Sequence, residues 1–212
     1  MDDVDRTPSP KTRGQHAASR ATRTAILDAA LEVFAEEGFR SGSLRLIAAR
    51  VGMSEAGLLH HFPSKKALLL AVLERRRESI NSMMSSDFTD GEASLRGIVR
   101  MAAGLARTRT SVKFFSAISG EAISSSHPAH AYFVARYETL RDQLTTAFDD
   151  LLLQGRMRST IHPRSAAIAA IALMDGLQTQ WLLDPEAVDI SASLRDHFAA
   201  LVDIDFDAPV AR

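Results

Sequence analysis

From Arg20 onward, apolar residues recur at steps of three and four, and no stretch sustains a period of two. Ile26, Ala30 and Phe34 follow one another at four-residue steps, with Leu27 and Leu31 beside them. That pattern predicts a helix with one apolar stripe, stopped by Gly38. Ser43 has the form of an N-cap for a short helix whose Leu44, Ile47 and Ala48 face inward. Gly52 breaks that helix. Ser54 caps a second short helix, which carries Leu58 and ends near Phe62. Pro63-Ser64 then resets the chain, and Ser64 caps a long helix beginning at Lys65. The same periodicity predicts helices at about 65–85, 93–108, 111–124, 129–154, 164–183 and 190–203. Turn chemistry separates them at Asp90-Gly91, His127-Pro128, Gly155, His162-Pro163 and Asp184-Pro185. No stretch reads as a strand and no repeat of about 20–50 residues is present, so the expected class is all-α.

Composition narrows the chemistry. The 212 residues contain 46% hydrophobic and 24% charged side chains, an ordinary balance for a folded domain large enough to bury a core. There is no cysteine, hence no disulfide, thiolate metal site or thiol nucleophile. No apolar run approaches the ~20 residues of a membrane span, and Met1-Asp2-Asp3-Val4-Asp5 lacks the layout of a secretion signal. The expectation is a cytoplasmic protein without a membrane partner. The net charge of −1 hides an asymmetry. Residues 1–77 carry 13 Lys+Arg against 9 Asp+Glu, a net of +4, while residues 78–212 carry 12 against 17, a net of −5. A basic end on an acidic body suits a protein that meets a polyanion at one end, although scattered surface charge gives the same totals. Residues 1–18 are polar, contain Pro8 and Pro10, and are expected to form a disordered arm. Arg6, Lys11 and Arg13 in it have the chemistry to touch phosphate or a minor groove, or to stay solvated.

The most informative window runs from Leu44 to Lys65. Short helix, glycine turn, short helix, aromatic stop and new helix follow in the order of a helix-turn-helix. Ala48 and Ala49 are small enough for two helices to cross closely, and Ile47, Val51, Leu58 and Phe62 supply the core between them. The helix from Ser54 to His61 is then the recognition helix, with its N-terminal part in a major groove. Ser54, Glu55, Ala56 and Gly57 lie at that end. The small Ala56 and Gly57 permit close approach to base edges. Glu55 can accept from a cytosine amino group, or simply complement the helix dipole. His60, His61, Ser64 and Lys65 behind the helix, and Ser43 and Arg45 in front, are candidates for backbone contacts, with Arg45 also able to reach a base edge.

The stretch RATRTAILDAALEVFAEEGFRSGSLRLIAARVGMSEAGLLHHFPSKKALLLAVLERR, Arg20 to Arg76, resembles the DNA-binding domain of the TetR family. The resemblance rests on Ile26-Leu27, Ala29-Ala30, Phe34 and Gly38-Phe39, on Ile47-Ala48 and Gly52-Met53-Ser54, and on His60-His61-Phe62-Pro63-Ser64-Lys65 with Leu68. It implies a three-helix DNA-binding domain at residues 19–64 and a larger helical domain at residues 65–205 for effector binding and dimerisation, with a tail at 206–212. It further implies a homodimer on a palindromic double-stranded operator, acting as a ligand-responsive repressor. Two positions depart from the family pattern. Leu59 stands where the family commonly has a phosphate-holding Tyr, and Gly42-Ser43 keeps the cap but loses one hydroxyl.

The C-terminal two-thirds carries no enzyme motif and implies no cofactor. The nearest approach to a metal cluster is Glu121, His127 and His130, and no metal is assigned to it. The resemblance puts an effector pocket between the middle helices. Met101, Leu105, Phe114, Phe115 and Ile118 are candidate apolar walls, joined by Met174 and Trp181; Tyr132 and Gln178 are the polar candidates. The same spacing also serves an ordinary core. SAAIAAIALMDGLQTQWLLDP is apolar on more than one face, and Ile190, Leu194, Phe198 and Leu201 follow at steps of four, four and three. These last two helices suit an intermolecular four-helix bundle, or burial within one subunit. The rival functions are a dimeric helical interaction protein that has lost DNA binding and a helical enzyme with a DNA-binding-like head.

Overall fold

A computed structural model describes residues 10–84 and 90–206. Its helices are α1 (Pro10–Ser41), α2 (Leu44–Arg50), α3 (Glu55–His61), α4 (Lys65–Met84), α5 (Gly91–Leu105), α6 (Arg109–Glu121), α7 (His130–Leu153), α8 (Pro163–Leu183) and α9 (Ile190–Leu201). A 3-10 turn at Ala106–Thr108 joins α5 to α6. Among the described residues the only β pairing is an isolated antiparallel bridge between Met157 and Val202. The all-α expectation holds, with element ends within a few residues of those read from the periodicity.

The N-terminus differs from expectation. Residues 10–18 belong to α1 rather than to a disordered arm. Pro10 opens the helix, where its fixed φ fits and its missing N–H would have had no partner. Arg6, the side chains of Lys11 and Arg13, and residues 207–212 lie outside what is described. Gly38 (φ 73, ψ 179) breaks the regular helix within α1 as the sequence led one to expect.

Two apolar cores hold the chain. The first joins Ile26, Ala30, Val33 and Phe34 of α1 with Ile47, Leu58 and Phe62, and with Leu68, Leu69, Val72 and Leu73 of α4. It continues without a break into Phe114, Phe115 and Ile118 of α6. The helix-turn-helix unit therefore rests on α6 as well as on α4. The second core gathers α5, α7, α8 and α9 around Leu95, Phe148, Leu194 and Phe198. α4 spans both, with Leu68 in one and Met84 in the other.

α8 is, at 21 residues, long and apolar enough to cross a membrane by length and composition alone, although no uninterrupted apolar run in it approaches that length. Its inner face, including Ala166, Ala170 and Leu177, packs in the second core. Its outer face shows Ile168, Ala172, Gly176, Thr179 and Leu183 to solvent. The stripe expected to serve pairing on α9 is used differently. Ile190, Leu194 and Phe198 are buried inside the subunit, with Phe198 edge-on to Phe148 at 6.3 Å. Any pairing surface of α9 must come from its other side.

Candidate functional site

The helix-turn-helix is fixed by three serine caps. The Ser43 hydroxyl accepts from the Leu46 N–H at 3.1 Å, Ser54 from Gly57 at 3.1 Å, and Ser64 from Ala67 at 3.0 Å. Each cap satisfies a helix-end donor and sets where α2, α3 and α4 begin. Gly52, at φ 71, turns the chain between α2 and α3 in a conformation that a side chain would strain. Only Leu58 of α3 is fully buried. Ser54, Glu55, Ala56, Leu59 and His60 are exposed, and Gly57 and His61 half-exposed. Arg45 is exposed at the start of α2, beside exposed Ser43. The rod thus offers one whole flank and its N-terminal end to solvent. Ser54→Ala is expected to lower unfolding stability by about 1 kcal/mol, readable as a shift in the urea midpoint at unchanged slope.

Besides the three capping serines, two of the expected contact residues already have partners within the protein. The Lys65 ammonium donates to the Arg40 carbonyl at 3.2 Å and sits 4.6 Å from the centre of the Phe39 ring. Burial pulls its pKa below the ordinary value, against the opposing charge of Glu121. His61 offers its carbonyl to Arg23 at 3.0 Å, and the Arg23 guanidinium lies 4.0 Å over the Phe62 ring. Arg23 was missed in the sequence because it precedes the apolar stripe; it ties α1 to the end of α3. Leu59 is 37% exposed, an apolar side chain on the solvent flank of α3.

Glu121, His127 and His130 have other duties. The Glu121 carboxylate accepts from the Phe39 N–H at 2.8 Å and the Arg40 N–H at 3.2 Å, joining the end of α6 to the turn before α2. His127 Nδ1 accepts from the Ala129 N–H, its ring lies edge-on to Phe39 at 5.1 Å, and burial lowers its pKa. His130 Nδ1 lies 2.8 Å from the Ala122 carbonyl.

Between α4, α5, α7 and α8 lies a cavity of about 90 Å³. Of the nine candidate pocket residues, Met101, Leu105, Phe115, Met174 and Gln178 line it. The other four candidates do not. Phe114 stacks on Phe34 in the first core, and Ile118 is buried there too. Tyr132 faces a neighbouring surface groove and donates to the Leu73 carbonyl at 3.3 Å. Trp181 lies under the Arg109 guanidinium, beside Pro185 and Ile190. Apolar spacing places a residue inside but does not say which of two cores it enters.

The sequence missed the charged wall of the cavity. Arg76 of α4, Arg136 of α7 and Asp175 of α8 all line it. Arg76 is buried at 9% exposure, and burial together with nearby Arg136 pulls its guanidinium down to about 9, still above neutrality. The Asp175 carboxylate accepts from the Tyr137 hydroxyl at 2.6 Å. Burial raises the Asp175 carboxyl and that bond opposes it, while burial and the Asp175 charge raise the Tyr137 hydroxyl. A signal was present: each charge interrupts an apolar stripe, Arg76 between Leu69, Val72 and Ile80, Arg136 between Phe133 and Leu140, and Asp175 between Ile171 and Leu182.

An exposed capped helix on a small bundle, braced by a long helix that runs to an interior cavity, is the architecture of a helix-turn-helix regulator with a separate sensing domain. Residues 26–72 match the bacterial regulatory proteins of the tetR family, and residues 91–203 match the C-terminal domain of BetI-type transcriptional repressors. The second match covers more than half of the chain, and the chain belongs to the TetR family. Among curated relatives, the HTH-type transcriptional regulator RutR of Escherichia coli (strain K12) is 46% identical over 66 residues, 31% of each chain. The chain thus spans about a third of the length of the curated relatives it matches. Among solved structures, SmeT, the repressor of the Stenotrophomonas maltophilia multidrug efflux pump SmeDEF, superimposes with a TM-score of 0.69 at 23% identity, covering 91% of this chain and 96% of SmeT. A SmeT–triclosan complex superimposes with a TM-score of 0.72 at 22% identity, covering 90% and 96%.

Proposed function

We propose that this protein is a cytoplasmic transcriptional repressor that binds a palindromic operator as a homodimer and releases it when a small molecule occupies the cavity between α4, α5, α7 and α8. The observation that carries this reading is the continuity of α4. Its first turn follows the Ser64 cap directly behind α3, and Arg76 on the same rigid helix lines the cavity. SmeT, which has the same fold, is a repressor with a triclosan complex, and that supports a ligand site within this architecture.

The mechanism is geometric. Two copies of α3 read half-sites one helical turn apart, ~34–36 Å centre to centre, or a multiple of that. Ala56 and Gly57 approach base edges, with Glu55 and His60 beside them. Ser43, Arg45, Ser54, His61, Ser64 and Lys65 hold phosphate or position the helix. A ligand that binds better when α4 is displaced shifts the dimer away from the spacing that fits DNA. Leu59 cannot donate to phosphate, so affinity rests on these other contacts.

The test is a gel shift with DNA from upstream of the protein's own gene, followed by selection from random duplexes. A palindromic consensus is the expected result, and changing Ala56 or Gly57 should alter it. Failure to enrich any sequence would instead favour an interaction protein without an operator. Lys65→Ala should weaken binding to all duplexes alike and reduce the slope of log affinity against log salt by about one. An unchanged slope would confine Lys65 to its bond with Arg40.

A further inference from the structure

We propose that the interior cavity is built for an organic monoanion, a compact apolar body with one carboxylate, received between Arg76 of α4 and Arg136 of α7. This rests on the cavity being the effector site and adds the ligand's charge and the groups that read it.

The observation is two guanidinium groups set against one aromatic ring, Arg76 buried and Arg136 half-buried, without a counter-ion in contact among the described residues. Arg76 lies 4.1 Å and Arg136 5.0 Å from the centre of the same Phe115 ring. The Nε of each is buried without a hydrogen-bond partner, and among the described residues neither forms an ion pair. A buried cation is costly unless paired, and two of like sign on one ring also repel. The ring faces offset part of this through cation–π attraction but leave the two Nε–H donors unused. A guanidinium presents a planar fork that matches a carboxylate.

The charge count selects a monoanion. Asp175 is the one acidic residue in the lining, and its carboxylate is held by the Tyr137 hydroxyl. Two cations and one anion leave a net of one positive charge. A single carboxylate cancels it, a neutral ligand leaves it, and a dianion reverses it. The rest of the wall fixes the ligand's body. Ile98, Met101, Leu105 and Met174 are apolar. The Gln178 Oε1, also buried and unpartnered, is placed to accept from one donor on that body. A cavity of about 90 Å³ is smaller than the ~150 Å³ known to hold benzene, so entry of an aromatic acid has to move the walls. A carboxylate bridging Arg76 and Arg136 ties α4, and with it the position of α3, to α7.

The experiment uses full-length protein and isothermal calorimetry with benzoate, octanoate and 1-naphthoate. Benzamide, octanamide and 1-naphthamide are neutral counterparts, and benzamidine is a cation of benzoate's shape. At least one carboxylate is expected to bind saturably, with its amide about tenfold weaker or worse and benzamidine not binding. Arg76→Gln and Arg136→Gln should each lower carboxylate affinity about tenfold or more, with circular dichroism confirming the fold. If Arg76→Gln does not fold, Arg136→Gln and Arg76→Lys decide, since Lys keeps the charge and loses the fork. The proposal is overturned if none of the three acids binds, if the amides bind as well, or if folded arginine variants bind as the wild type does. Operator release separates the two layers. Arginine-dependent binding that leaves the operator complex intact at saturation would overturn ligand-responsive repression and keep the anion site. Release driven equally by amides would do the reverse.

Discussion

Gly38→Ala is expected to destabilise the protein by about 2–4 kcal/mol, because it strains the backbone and displaces a half-buried acceptor together. At φ 73 and ψ 179, Gly38 occupies a region that is essentially restricted to glycine, worth about 1–3 kcal/mol for any other residue. An added Cβ would also clash with the Glu121 Oε1. Glu121 must then swing away, and the Phe39 and Arg40 N–H groups lose their shared carboxylate. Charge-assisted bonds of this kind contribute about 1.5–3 kcal/mol. Urea unfolding at fixed protein concentration measures the loss, and a shift below about 0.5 kcal/mol would show that the turn relaxes freely. The double variant Gly38→Ala/Glu121→Ala supplies the internal check. Because both changes break one contact, their effects should fall short of additive by about 1 kcal/mol or more.

That contact also shows what a sequence conceals. The caps Ser43, Ser54 and Ser64 were legible because each satisfies an N–H three residues along its own chain, and Gly52 because a tight turn states its need locally. Glu121 was visible only as a stray carboxylate near two histidines. Its partners Phe39 and Arg40 lie more than 80 residues away, and nothing local pairs a helix end with a distant turn. The interior followed the same division. Periodicity found that Met101, Phe115 and Met174 point inward, and it gave the same answer for Phe114 and Ile118, which are buried in the first core away from the cavity. Arg76, Arg136 and Asp175 escaped because a charged residue on a long helix is read as solvent-facing by default. Their positions inside apolar stripes marked them as buried charges, which persist only with a partner or a purpose.

Gly176→Arg is expected to yield a folded monomer with operator affinity reduced about 100-fold or more, the loss that follows when two linked binding events become one. On α8, Ile168 and Leu183 are 48% and 82% exposed, with Ala172, Gly176 and Thr179 between them on the same outer flank. Small residues there let a second copy of α8 approach closely, and the burial of the Ile190–Phe198 stripe inside the subunit leaves α8 to carry most of such a contact. The substitution isolates pairing from folding. A Cβ at position 176 meets no atom within 4 Å, and replacing a mid-helix glycine with arginine improves helix propensity by about 0.8 kcal/mol. Any drop in melting temperature then reflects lost association, so the wild-type midpoint should rise with protein concentration while the variant's does not. Sedimentation equilibrium and a palindromic duplex titrated beside a single half-site measure both consequences. Half-site binding should survive, since α3 and its caps lie in the other core. A variant that remains dimeric and keeps full affinity for the palindrome would place the subunit contact somewhere other than the outer flank of α8.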